Sequence, residues 1–160
     1  VVRFLLEIKT FEKGSFRLYR DHAVQAKLYA LLLDEMGFNC LKTLLYVVGV
    51  NRKARDKADK TKLNELLCLL TVILEKRGGV IHAKREVVRR VAEKIDDKNL
   101  AGLVASGNLS IFWFPYDRND ALKDLAWAKD YWLERREPQP TKNPNKCKTC
   151  EYAQNCHKQQ

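Results

Sequence analysis

The run LKTLLYVVGV, residues Leu41 to Val50, constrains the fold more than any other stretch of the chain. Side chains along a strand alternate between two faces, so a run that stays apolar at nearly every position has to be covered on both. It predicts an inner strand of an α/β protein, with other elements packed above and below the sheet. The chain has 160 residues, 46% of them hydrophobic, which is enough to build one core of ordinary size, and a single domain over 1–160 is expected.

The flanking segments fit that architecture. Val1 to Lys9 is apolar and β-branched with a two-residue alternation that sets Phe4, Leu6 and Ile8 on one face and Leu5, Glu7 and Lys9 on the other. Apolar residues then recur at helical spacing from about Leu18 to Met36, and Gly37 follows as a helix-ending glycine. Asn51 to Lys62 reads as a charged surface loop leading into the helix LNELLCLLTVILEKRGG, which ends on a glycine pair. A basic helix from Lys84 to Lys94 and a helical turn near Leu100 to Ala105 come next. NLSIFWFPYD returns to strand and is closed by Pro115. From Asp117 to Arg136 the spacing of Leu122, Leu125, Ala126, Trp132 and Leu133 predicts an amphipathic helix, and a proline-punctuated linker carries the chain to KCKTCEYAQNCHK.

Charge and cysteine usage narrow the setting. Thirty Lys and Arg stand against twenty Asp and Glu, a net +10 that attracts polyanions, DNA among them. No apolar run reaches the roughly 18 residues of a membrane span, and five cysteines without a secretory signal do not suggest a disulfide framework. A cytoplasmic protein is expected, with Cys40 and Cys68 as core residues.

Two constellations carry chemistry. Glu7 and Lys9 are two apart on a strand, so their side chains share a face with Cα atoms roughly 6 to 7 Å apart and can address one small object. A hydrated Mg²⁺ or Mn²⁺ suits them: the Glu7 carboxylate and the Ile8 carbonyl offer hard oxygens, and the lysine can orient or help deprotonate a water. The same tripeptide also fits a plain ion pair at a strand end. On the next helix His22, Gln25 and Tyr29 form one polar stripe among apolar neighbours, able to face a cleft and to hold a phosphodiester or a water. Equally, Tyr29 fits a core position and Gln25 a surface one.

Together, E-I-K on a strand and H-x-x-Q-x-x-x-Y on the following helix resemble the RecB-like branch of the PD-(D/E)XK nuclease superfamily. The resemblance implies a restriction-endonuclease-like core, a mixed sheet flanked by helices, over 1–50 and 108–140. It implies Mg²⁺- or Mn²⁺-dependent hydrolysis of DNA, on single-stranded or end-bearing substrates, in repair, recombination or CRISPR adaptation, with protein partners in such a complex. Glu7, Lys9, Gln25 and Tyr29 are its catalytic residues, and His22 is a further metal candidate. The family's metal-binding Asp lies on the strand before E-x-K. Val1 opens on a strand already under way, so upstream sequence is expected to supply it. The alternative is an inactive nuclease-like DNA-binding or assembly subunit.

Cys147, Cys150 and Cys156 place three thiols within ten residues, a spacing that suits one metal centre. A zinc site with a histidine ligand and an iron-sulfur cluster both fit, and the zinc reading allows a protein-interaction module. The resemblance favours a 4Fe-4S cluster, because iron-sulfur members of the branch carry three cysteines after the last helix and a fourth well upstream. Cys40 is a weaker candidate for that fourth ligand. The block 52–107 has no counterpart in the resemblance and reads as a helical insertion. Within it Lys84, Arg85, Arg89 and Arg90 are candidates for DNA phosphate contacts, with a merely solvated helix face as the alternative.

Overall fold

In the computed structural model three strands form one mixed sheet, in the spatial order β1 (Phe4–Phe11), β2 (Leu44–Asn51), β3 (Leu109–Pro115). The structure describes residues 1–76, 85–95, 97–137, 147–148 and 150–151. β1 runs parallel to β2, with Glu7 opposite Val47 and Lys9 opposite Gly49, and β3 runs antiparallel to β2. Among the described residues there are also five α-helices, α1 (Arg20–Glu35), α2 (Lys60–Lys76), α3 (Arg85–Lys94), α4 (Lys98–Ser106) and α5 (Arg118–Trp132), and one 3₁₀ helix, Arg52–Lys57. The chain divides into two compact units, 1–124 and 125–160.

β2 is the middle strand, and its residues from Leu44 to Val50 are all buried, as their unbroken apolar character requires. One face of the sheet, with Tyr46, Val48, Ile111 and Trp113, packs against a helical layer made of Leu63, Leu66, Leu67, Leu70 and Leu74 of α2, Val88, Val91 and Ala92 of α3, and Leu100, Leu103 and Val104 of α4. The described residues of the block 52–107 thus supply one side of this core. On the other side α1 lies along β1 and β2, burying Ala26, Ala30 and Leu31.

Local signals set the boundaries. α1 ends in a Schellman motif: the Phe38 amide donates to the Leu33 carbonyl and the Gly37 amide to that of Asp34, with Gly37 in the left-handed region at φ 90°. Asp59 caps α2 by accepting from the amides of Thr61 and Lys62, which hold its carboxyl below the usual range. Asp97 caps α4 by accepting from Asn99 and Leu100.

Four expectations need correction. Within the supposed loop 51–62, Arg52–Lys57 forms a 3₁₀ helix, capped by Asn51 accepting from the Lys53 amide, and α2 already starts at Lys60. Cys68 is exposed, because the buried stripe of α2 runs through Leu63, Leu66, Leu67, Leu70 and Leu74 and turns position 68 outward. α5 stops at Trp132 rather than Arg136: Glu134 adopts φ 55°, and the amides of Glu134 and Arg135 return to the Tyr131 and Asp130 carbonyls. Its apolar stripe is not a core face, since Leu122, Trp132 and Leu133 are exposed while Ala121 and Asp124 are buried. What holds the first turns of α5 to α1 is charge. Lys27 bonds Asp120 at 2.5 Å and Asp124 at 2.9 Å, and Arg118 bridges Asp34 and Glu35 at the other end of α1.

Tyr46 is fully buried, and its hydroxyl lies 2.8 Å from that of Thr71. Thr71 gives its own proton to the Leu67 carbonyl, so Tyr46 is the donor between them. Burial, the largest cause, pushes the Tyr46 phenol up to about 12. A proton held more tightly in the folded than in the unfolded chain stabilises the fold fully below about pH 10, and that contribution disappears as pH rises towards 12. It amounts to about 2–3 kcal/mol. Urea unfolding at pH 8.5 and 11.5 is therefore expected to show a larger alkaline loss for the native protein than for Tyr46→Phe; equal losses would contradict the assignment.

Candidate active site

Glu7, Lys9, Gln25 and Tyr29 come together on the α1 side of β1. The Lys9 Nζ lies 2.7 Å from Glu7 Oε1 and donates to Gln25 Oε1 at 2.5 Å, and Gln25 Nε2 donates to the Tyr29 hydroxyl at 2.8 Å. Backbone geometry produces this chain of contacts. Residues 7 and 9 share a face of the strand, and residues 25 and 29 are one turn apart on a helix that returns antiparallel over it. Fixing the Gln25 carbonyl on an ammonium also fixes its amide group on the tyrosine.

The far end of the chain is wet and the near end is not. The side chains of Glu7 and Lys9 are 14% and 24% exposed, whereas Tyr29 is 45% exposed, so the charged pair sits at the inner end of a track that opens to solvent. A charge this far removed from water has to be paired, and each partner here neutralises the other.

The Ile8 carbonyl can be placed from the ladder. The Leu44 amide donates to the Arg3 carbonyl, so the carbonyls of residues 3, 5, 7 and 9 point towards β2 and that of Ile8 points to the opposite edge of β1. Among the described residues no strand pairs with that edge. The Ile8 side chain, expected to join a core face, is 46% exposed, because the helical layer reaches Phe4 and Leu6 but not the end of the strand.

The donor set suits a hard divalent cation: one carboxylate and one outward carbonyl at a sheet edge leave room for the water and phosphate ligands that Mg²⁺ retains. Among the described residues no group of three His, Cys, Asp or Glu side chains is placed to hold a metal by itself. Glu7 and Ile8 would therefore be two ligands of a larger set. The His22 ring stacks on Phe16, with centroids 5.5 Å apart and planes 6° apart, and meets the edge of Tyr19.

Phe16 and Gly49 support the site and were not singled out as site residues by sequence. Gly49 faces Lys9 across the ladder, and a Cβ built on it would fall 2.1 Å from Phe16 Cγ, so the ring lies directly on the strand backbone. There it also meets Phe11 and Phe112, closing an aromatic floor beneath the end of β1. The one signal was a lone glycine inside an otherwise apolar strand, which marks a close approach.

In the second unit the Cys150 amide donates to the Cys147 carbonyl at 3.3 Å, the turn a C-x-x-C segment needs to bring two thiols to one side. Cys156 lies outside the described residues, and Cys40 is fully buried. On α3, Arg89 and Arg90 both bond Glu86, whose carboxyl they hold below the usual range, and Arg89 also reaches Glu93. Lys84 and the Arg85 side chain lie outside the described residues.

Comparison of the chain with protein-family models, curated proteins and solved structures found no match. Among the described residues no helix is long and apolar enough to cross a membrane.

Proposed function

We propose that the chain carries the E-x-K part of a metal-dependent DNA nuclease related to the RecB-like PD-(D/E)XK branch. The observation that carries this reading is the unbroken series of contacts Glu7, Lys9, Gln25, Tyr29 running from a half-buried strand end to the surface. An accidental E-x-K ion pair does not require a glutamine from another element to close on its ammonium, nor a tyrosine to close on that glutamine.

In this scheme Glu7 and the Ile8 carbonyl would hold a Mg²⁺ or Mn²⁺ ion, which when bound supplies Lewis acidity and a water of lowered pKa. Lys9 contributes a fixed positive charge beside the scissile phosphate, where negative charge develops as the phosphodiester is attacked. Gln25 keeps the ammonium aimed, and Tyr29 offers a hydroxyl to the sugar-phosphate backbone at the solvent-facing end. A 4Fe-4S cluster on Cys147, Cys150 and Cys156, completed by a fourth cysteine, would serve as a staple for the C-terminal segment rather than as a redox centre.

The test is digestion of end-labelled single- and double-stranded DNA by the native-length protein, with Mg²⁺ or Mn²⁺ and with chelator. Cleavage that needs the metal and stops on chelation is expected. Intact substrates under every metal condition would reject the enzyme in favour of a nuclease-like DNA-binding subunit.

A further inference from the structure

We infer that the nucleic-acid strand is gripped at the carboxyl end of the parallel strands by two exposed basic segments, the β1–α1 loop with Lys13 and Arg17 and the 3₁₀ helix with Lys53, Arg55 and Lys57. This rests on the phosphodiesterase reading and assigns its substrate-binding surface. Because β1 and β2 are parallel, the loop leaving β1 and the 3₁₀ helix leaving β2 emerge at the same end of the sheet. That is where open α/β sheets place their ligands. Asn51, the cap of the 3₁₀ helix, pairs with Phe11, which is two residues beyond Lys9. The basic segment therefore begins about 7 Å along the strand and about 5 Å across the sheet from the candidate site. Arg52 bonds Glu12 at 2.6 Å and ties the two segments together.

The charge state of these side chains separates them from α3. Lys13, Arg17, Lys53, Arg55 and Lys57 are all exposed, and among the described residues none has a carboxylate within 4.0 Å. Asp56 is the one acid within the 3₁₀ helix. Arg89 and Arg90 of α3, by contrast, already share Glu86, and a phosphate there would have to displace an existing partner. Cations that a folded protein leaves unpaired beside a phosphate-cleaving site attract polyanions without that competition, and they bind by releasing counterions.

The experiment uses native-length protein carrying Glu7→Gln, so that the probe survives, and a fluorescein-labelled 20-nucleotide single strand followed by anisotropy from 50 to 300 mM KCl. Adding Lys53→Gln, Arg55→Gln and Lys57→Gln is expected to weaken binding at least about tenfold at 100 mM salt. It should also flatten the plot of log K against log salt by roughly 2, since each single-strand phosphate that a cation neutralises contributes about 0.7 to the slope. Arg89→Gln with Arg90→Gln is expected to change affinity less than about twofold. Circular dichroism melts check that both sets remain folded. A triple variant that binds like its parent, or a larger loss from the α3 pair, overturns this assignment and leaves the cleavage reading standing. A parent that binds no strand at all overturns it too, and metal-dependent digestion by the Glu7 form then decides separately whether the cleavage reading survives.

Discussion

Glu7→Gln is expected to lower metal-dependent cleavage roughly a thousandfold while leaving DNA affinity within about threefold of the native protein. Glutamine keeps the length of the side chain and an oxygen that can still accept from Lys9, so the link to Gln25 and Tyr29 survives. What disappears is the negative charge that a divalent cation needs from its protein ligand. Lys9→Met is expected to lower cleavage by about a hundredfold or more, since it removes the fixed positive charge that the nuclease proposal sets beside the phosphate. It also strands a Glu7 side chain that is only 14% exposed, so it should reduce stability as well. Single-turnover cleavage, binding and thermal melts on the same preparations separate these effects. Cleavage undiminished in Glu7→Gln would mean that Glu7 is no more than the partner of Lys9.

The second large effect is on the fold beneath the site. Gly49→Val is expected to destabilise the protein by about 3 kcal/mol or more, because the new Cβ meets Phe16 Cγ at 2.1 Å, Cδ1 at 2.3 Å and Cβ at 2.6 Å. The clash involves the root of the phenylalanine as well as its ring, so a rotamer change cannot relieve it and the β1–α1 loop has to move. That motion would also break the stack of Phe16 on His22 and carry away the floor under Lys9. Urea unfolding gives the stability, and a cycle with Phe16→Gly, which removes the Cβ as well as the ring, isolates the cause: in that background Gly49→Ala should cost much less than it does alone. Equal costs in both backgrounds would place the penalty in the strand's own backbone.

How much of this was legible in the sequence follows from the range of the interactions involved. The buried middle strand, the turn at Gly37 and the shared face of Glu7 and Lys9 depend on residues within one element, where a period of two or 3.6 is decisive. So does the one-turn spacing of Gln25 and Tyr29, although the closure of Gln25 on Lys9 needed the parallel crossover to bring α1 back over β1. The exposure of Cys68 and the polar anchoring of α5 were not legible, because apolar residues at helical spacing do not reveal which face meets the sheet. Nor could composition tell paired cations from unpaired ones. The basic character of KREVVRRVAEK is plain in the sequence, but the ion pairs that Arg89 and Arg90 make with Glu86 are geometric facts. Phe16 lies 33 positions before Gly49 in the chain, and only tertiary packing makes that glycine obligatory.

Anomalous scattering from crystals of the native-length protein grown with Mn²⁺ is the decisive experiment. A manganese peak ligated by the Glu7 carboxylate at the free edge of β1, with the Ile8 carbonyl in its shell and Lys9 beside it, is expected, and no such peak in Glu7→Gln. Manganese bound elsewhere, with Glu7 and Lys9 joined only to each other, would contradict it.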